Sequence, residues 1–111
     1  MFNSKTATLS VSFAILFFLT GETANTGNPE KGKAIFLKNC SLCHGPTGSG
    51  LGPTTHMPNF TDKKYGDSHT PQQMFDKITR GVEGTGMPAW EKTLSPQDRW
   101  DVISYILTLG K

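Results

Sequence analysis

The sequence predicts an all-α fold. Three segments each begin with a helix-capping residue followed by proline, and each continues with apolar residues at helical spacing. No segment shows the strict alternation of apolar and polar residues that is typical of a strand. The stretches between the three segments are rich in glycine and proline, which favours loops. These observations indicate one small helical domain.

The first predicted helix runs from about Pro29 to Asn39. Asn28 can cap this helix, and Glu30 lies in the first turn, where the helix dipole favours a negative charge. Gly32 precedes Phe36 by four residues, so the two share one face of the helix. Another helix could approach that face closely at the glycine.

Two further helices follow the same pattern. The middle helix begins at Pro71, after Thr70 as its cap, and stops at Gly81, a residue suited to the left-handed conformation after a helix. The closing helix runs from about Pro96 to Leu109, with Ser95 as its cap. Its apolar residues at helical spacing are Trp100, Ile103, Ile106 and Leu107.

The first 24 residues have the pattern of an export signal. Lys5 is followed by an apolar run from Ala7 to Leu19, which is shorter than the roughly 20 residues that a membrane-spanning helix needs. We therefore divide the chain into a signal peptide, residues 1–24, and a single domain, residues 25–111. If the leader is not cleaved, it would act as a membrane anchor. The sequence thus predicts a periplasmic protein, or a membrane-tethered one.

The charge of the chain gives it no strong electrostatic field. Eleven basic and nine acidic residues give a formal net charge of +2, and the lysines are dispersed along the chain. This pattern is typical of solvated surface, and it argues against nucleic acid as a partner. We expect a monomer.

The pentapeptide Cys-Ser-Leu-Cys-His, residues 40–44, is the most informative motif. The spacing of Cys40 and Cys43 lets both thiols add to the vinyl groups of one porphyrin, and His44 then lies where it can ligate the iron. The motif therefore predicts one covalently attached haem c. It also fits export, since the two cysteines are then used for the cofactor.

Three other uses of the cysteines fit the sequence less well. A zinc site needs two more ligands at suitable spacing, and the chain holds no other cysteine. A redox-active dithiol calls for alternating strands and helices around it, a pattern that is missing from this sequence. A disulfide between Cys40 and Cys43 would close a very small, strained loop and would leave His44 unexplained.

The second iron ligand has several candidates. They are Met57, Met74, Met87, His56 and His69. Met87 is favoured because it lies beyond the middle helix, in a loop whose glycines at 81, 84 and 86 let the chain fold back over the ring. Met57 follows His44 by only thirteen positions, and Met74 lies on a helix face that favours the core. Met57 and the two histidines stay open as alternatives.

Several motifs together resemble the class I c-type cytochromes. Besides residues 40–44, they are the Asn-Phe-Thr-Asp segment at 59–62, the Gly-Met-Pro-Ala-Trp segment at 86–90, and the closing Trp-Asp-Val-Ile-Ser-Tyr-Ile at 100–106. The resemblance covers about residues 29–109. Within that class, the chain looks most like the small monohaem bacterial domains.

The resemblance implies a cytochrome c-like bundle of helices around one haem. It implies that the first and last helices cross at Gly32 and Phe36 of the first and Tyr105 of the last. It also implies that the second ring nitrogen of His44 donates a hydrogen bond to the carbonyl of Pro53. Each of these is an expectation about the fold.

The expected function is the transfer of single electrons. With His44 and Met87 as axial ligands, the iron has no open position for a substrate, so we expect no enzymatic activity from the chain alone. The expected partners are redox proteins, such as a membrane oxidase, a reductase or a periplasmic dehydrogenase. The alternative is a subunit through which electrons enter a larger oxidase or dehydrogenase complex.

Overall fold

The computed structural model describes residues 27–50 and 56–111, and in these ranges the chain is helical without strands. The predicted all-α fold is therefore confirmed. The predicted signal peptide, residues 1–24, and Pro53 lie outside the described residues. The helices are α1 (Pro29–Asn39), α2 (Ser41–His44), α3 (Lys63–Ser68), α4 (Pro71–Arg80) and α5 (Pro96–Leu109).

The three predicted helices begin where their capping residues indicated. The side chain of Asn28 accepts hydrogen bonds from the first backbone N–H groups of α1. Thr70 and Gln73 form a reciprocal capping box at α4, and Ser95 and Asp98 form another at α5. These caps satisfy N–H groups that have no partner within the helix.

The first and last helices cross in close contact. A Cβ atom on Gly32 would overlap the backbone carbonyl of Asp101, so α1 and α5 meet backbone to backbone at this point. One turn further along, the fully buried ring of Phe36 packs against Tyr105, with ring centroids 5.4 Å apart. The crossing that the resemblance implied is confirmed.

One hydrophobic core joins α1, α4 and α5. Its buried members are Phe36, Phe60, Met74, Ile78, Leu94, Val102, Ile103 and Ile106. Met74 is only 3% exposed, which confirms its predicted place in the core. The residues that position the haem motif are therefore attached to a scaffold stabilised by apolar burial.

Two charged residues of α5 are buried, which the helical pattern did not indicate. The carboxylate of Asp101 accepts hydrogen bonds from the backbone N–H of Asn28 (2.7 Å) and from the side-chain amide of Gln97 (2.9 Å). The guanidinium of Arg99 lies over the ring of Phe75, 4.9 Å from its centroid. Asp101 thus connects α5 directly to the start of α1.

Candidate haem site

The end of α1 places the two cysteines and the histidine on one helical turn. The backbone N–H of Cys40 donates to the carbonyl of Phe36 (2.8 Å), which completes the last turn of α1. The backbone N–H of His44 then donates to the carbonyl of Cys40 (2.9 Å), and α2 follows without a loop. Because Phe36 is fully buried, the motif is anchored to the core at its first residue.

The two cysteines are free thiols in different surroundings. Cys40 is half-buried and Cys43 is exposed. Burial, with a smaller contribution from the neighbouring Cys43, raises the pKa of the Cys40 thiol to about 11. Neither cysteine forms a disulfide, so both thiols can bond to a haem.

His44 is held by two aromatic rings. The ring of Phe60 stacks on it, with centroids 4.9 Å apart and an interplanar angle of 27°, and the centroid of Phe36 lies 6.5 Å away. Burial lowers the pKa of His44, which favours the neutral imidazole that binds metals. Its Nδ1 is buried and has no hydrogen-bond partner among residues 27–50 and 56–111.

This arrangement of His44 fits an axial ligand. A metal-bound histidine commonly donates its second N–H to a carbonyl or carboxylate, and a buried Nδ1 requires such an acceptor. The acceptor implied by the resemblance, the carbonyl of Pro53, lies outside the described residues, so that bond stays a prediction. The residues present nevertheless suit a haem: two free thiols beside one neutral, oriented imidazole.

The glycine-rich segment after His44 brings Phe60 to that histidine. Gly48 has a positive φ of 72°, and a Cβ there would lie 2.7 Å from a methyl carbon of Leu109. The carbonyl of Gly48 accepts a hydrogen bond from the backbone N–H of Phe60 (2.8 Å), and the carbonyl of His44 accepts one from Gly50 (3.0 Å). The chain therefore returns past His44 before α3 begins.

The loop between α4 and α5 holds Met87 against the core. Gly81 ends α4 with a φ of 72°, and a Cβ on it would lie 2.8 Å from the carbonyl oxygen of Met87. The backbone N–H of Val82 donates to that same oxygen (3.3 Å), and the N–H of Trp90 donates to the carbonyl of Ile78 (2.9 Å). Met87 is half-buried and packs against the core cluster. The loop thus brings Met87 back against Gly81 at the end of α4.

The other candidate ligands have different surroundings. Met74 is in the core, Met57 is half-buried, and His56 is exposed with a positive φ of 64°. His69 stacks on Tyr65 with centroids 4.1 Å apart, and its Nδ1 lies 3.0 Å from the carbonyl oxygen of that residue. Ordinary contacts thus account for Met74 and His69, whereas Met87 as a ligand stays a prediction.

Within residues 27–50 and 56–111, neither a metal cluster nor the cavity beside Phe60 offers a competing site. Within the described ranges, no group of three or more His, Cys, Asp or Glu side chains could hold a metal ion, so a zinc site gains no support. A cavity of about 270 Å³ lies beside Phe60, Tyr65 and Met74, and none of the predicted haem ligands lines it.

Phe60 and Tyr65 are the site residues that the sequence interpretation missed. The Asn-Phe-Thr-Asp segment pointed to the family, but nothing local indicated that its phenylalanine would lie against His44. The ring of Tyr65 meets Phe60 edge to face, with centroids 4.9 Å apart. The only available signal was the presence of aromatic residues shortly after a glycine-rich loop.

The family model for cytochrome c oxidase, cbb3-type, subunit III, matches residues 27–106. The chain belongs to this family. The matched range contains both cysteines, His44 and Met87. The predicted c-type cytochrome is confirmed, and haem c is the cofactor of this domain.

The relatives of this cbb3-type subunit III domain include oxidase subunits and small cytochromes. The FixP subunit of the cbb3-type cytochrome c oxidase of Bradyrhizobium diazoefficiens is 36% identical over 80 residues, covering 72% of this chain and 27% of FixP. Cytochrome c6 of Synechocystis is 29% identical over 90 residues, covering 81% of this chain and 72% of that protein. The chain thus spans about a quarter of the oxidase subunit.

The structural comparison supports the same fold. Cytochrome c6 of the diatom Phaeodactylum tricornutum superposes with a TM-score of 0.61 at 26% identity, covering 76% of this chain and 95% of the diatom protein. The predicted cytochrome c-like helical bundle is therefore confirmed. In the described part of this cbb3-type domain, none of the helices has the length and apolar character needed to cross a membrane.

Proposed function

We propose that this chain is a monohaem c-type cytochrome that carries single electrons between exported or membrane-bound redox proteins. Cys40 and Cys43 would hold the haem by thioether bonds, and His44 and Met87 would ligate its iron. The observation that carries the proposal is the turn from α1 into α2, where two free thiols adjoin a partly buried histidine whose pKa is lowered.

When bound, haem c supplies a couple that gains and loses one electron. The residues of this chain determine how that couple behaves. His44 keeps one orientation because Phe60 stacks on it, and the ring of Phe36 lies on the same side with its centroid 6.5 Å away. Met87 offers a thioether, which favours the reduced state of iron. Because the same two side chains serve both oxidation states, the protein has little to rearrange when an electron moves.

We also infer that the chain alone does not catalyse a reaction on a substrate. If His44 and Met87 both ligate the iron, a substrate would have to displace Met87 to reach it. In the sequence, no cluster of histidine, arginine and acidic residues marks a distal pocket. A purified holoprotein should therefore show oxidised and reduced absorption spectra that interconvert with one electron per haem.

The experiment that tests this function is a redox titration with a peroxide control. One-electron behaviour with the sulfur-to-iron charge-transfer band present in the ferric form is the expected result. Rapid turnover of hydrogen peroxide by the parent protein, with that band intact, would contradict the carrier function and favour an enzyme.

A second candidate is a fixed subunit through which electrons enter a larger oxidase or dehydrogenase complex. The oxidase subunits FixP and CcoP among the relatives favour it. Gentle detergent extraction from native membranes, followed by size-exclusion chromatography, separates the two candidates. A free carrier elutes alone as a monomer with its haem, whereas a subunit elutes with the spectrum of a larger complex.

We further propose that residues 1–24 direct export and that the haem is attached outside the cytoplasm. The positive charge of Lys5 and the apolar run after it support this proposal. Mass spectrometry of the mature holoprotein should give a chain that begins between residues 22 and 25. An intact Met1 in a membrane fraction would instead favour an uncleaved anchor.

A further inference from the structure

Four aromatic side chains form a continuous series from the haem motif to the surface of α3. His44 stacks on Phe60 (centroids 4.9 Å apart), Phe60 meets Tyr65 edge to face (4.9 Å), and Tyr65 stacks on His69 (4.1 Å). We call this series the aromatic path. Because each ring contacts the next, the aromatic path connects the proposed iron ligand to the surface without a break.

The aromatic path is buried at Phe60 and partly exposed at its outer end. Phe60 is only 7% exposed, whereas Tyr65 and His69 are half-buried. Phe60 is a member of the core cluster, Tyr65 packs against that cluster, and His69 stacks on the outer side of Tyr65. Core packing therefore explains Phe60, and the contacts of His69 with Tyr65 extend the stack beyond the core.

Hydrogen bonds in and after α3 hold the two outer rings of the aromatic path. Asp62 caps α3 by accepting a hydrogen bond from the N–H of Lys64 (3.0 Å), which holds Tyr65 in the first turns of that helix. The Nδ1 of His69 lies 2.9 Å from the hydroxyl of Ser68 and 3.0 Å from the carbonyl of Tyr65. The imidazole at the outer end is therefore held parallel to the phenol ring, at an interplanar angle of 17°.

We propose that electrons pass between the haem and a redox partner along the aromatic path, and that the partner binds at α3. This inference rests on the proposed function. Electron tunnelling falls off more steeply across a gap than through bonds and touching groups, so a series of rings in contact offers a favoured route. In each passage the ferrous haem loses one electron, and an oxidised one-electron centre of the partner gains it. No bond forms or breaks.

The charges around α3 indicate what kind of partner fits. Within residues 62–68 the charges of two acidic and two basic residues, Asp62, Lys63, Lys64 and Asp67, cancel, and Lys111, which lines the cavity beside Phe60, adds one positive charge. Lys63 and Asp67 already pair with each other (2.8 Å). By contrast, residues 31–61 hold three lysines and no acidic residue. A partner at α3 therefore presents a nearly neutral surface, and its association should depend little on salt.

The test uses a light-activated one-electron oxidant attached at α3. A ruthenium polypyridine complex is coupled to Gly66→Cys, since a Cβ at Gly66 meets no atom within 4 Å. The matched control carries the same complex at Lys38→Cys, an exposed position on α1. The native cysteines are occupied by thioether bonds in the holoprotein. After a flash and a quencher oxidise the complex, it takes one electron from the reduced haem, and transient absorption gives the rate.

Two substitutions at Tyr65 distinguish electron transfer through the rings from transfer that depends only on the distance between the label and the haem. Tyr65→Leu interrupts the series of rings, whereas Tyr65→Phe keeps the ring and removes only the hydroxyl. With the complex at Gly66→Cys, we expect Tyr65→Leu to slow the transfer several-fold and Tyr65→Phe to leave it unchanged. With the complex at Lys38→Cys, neither change should alter the rate.

Other results would overturn the path in distinct ways. If Tyr65→Leu and the parent transfer electrons at equal rates from the Gly66 label, the aromatic path is excluded. If Tyr65→Leu slows the transfer equally at both labels, the substitution disturbs the haem itself, and the path is again excluded. Should Tyr65→Leu fail to fold, Phe60→Leu must give the same label-dependent slowing for the proposal to stand. If neither label exchanges an electron with the haem in the unsubstituted protein, the proposed function itself fails.

Discussion

Gly32 of α1 lies directly against the backbone carbonyl of Asp101 of α5, at a separation that leaves no room for a Cβ atom. The side chain of Asp101 also accepts a hydrogen bond from the backbone N–H of Asn28 (2.7 Å), just before α1 begins. The crossing therefore fixes both the start and the direction of α1. Since α1 runs straight into Cys40, the contact also determines where the haem motif lies.

Gly32→Ala should lower the free energy of unfolding by about 3 kcal/mol, because the added methyl group forces two backbones apart. Denaturant unfolding of the holoprotein measures the effect. The control is Gly66→Ala in α3, where a Cβ meets nothing within 4 Å. That change should stabilise the protein by about 0.5–1 kcal/mol. Similar losses for both variants would contradict a close crossing.

The sequence predicted those parts of the fold that depend on local signals. α1, α4 and α5 each begin with a cap followed by proline, so their starts could be read directly. α2 and α3 were not predicted because four and six residues are too few to show a helical period. Two helices thus had to be found in the structure.

The same distinction applies to the candidate site. Residues 40–44 are one local motif, so the cysteines and the histidine could be assigned from sequence. The stacking of Phe60 on His44 could not, because it depends on how the glycine-rich segment turns between them. The burial of Arg99 was equally hidden, since its contact with Phe75 lies between two helices. Contacts between distant residues require the tertiary fold.

Met87→Ala should remove the sulfur-to-iron charge-transfer band, lower the reduction potential, and open the iron to cyanide, carbon monoxide and peroxide. The reason is that a thioether ligand stabilises the ferrous state and fills the coordination position. Absorption spectroscopy and a redox titration measure these effects. Met57→Ala is the control and should change none of them. Loss of the band in the Met57 variant instead would show that the ligand was wrongly assigned.

Replacing both Cys40 and Cys43 by serine should give a chain without covalent haem that is largely unfolded. The predicted mature domain is small, so its apolar core supplies limited stability without the buried porphyrin. Circular dichroism measures the loss of folding in the variant. Extraction with acidic organic solvent tests whether the haem is covalently attached. The parent should keep its haem on the polypeptide during extraction. Extraction of haem from the parent would refute covalent attachment.

The stability of the protein should fall as the pH rises above the ordinary pKa of tyrosine, about 10. Burial raises the pKa of Tyr65, so the folded chain holds this proton more tightly than the unfolded chain does. The contribution is complete below about pH 10 and is lost as the pH rises through the pKa of the folded state. Unfolding free energies from about pH 8 to about pH 12 measure the decline.

Tyr65→Phe isolates this contribution, because phenylalanine keeps the ring against Phe60 and has no proton to lose. Other groups that titrate at alkaline pH are present in both proteins, so their effects cancel when the two curves are subtracted. The difference should be constant below about pH 10 and should then shift in favour of the Phe variant. A difference that stays constant throughout would mean that the phenol hydroxyl of Tyr65 is hydrated in the folded chain, contrary to its burial.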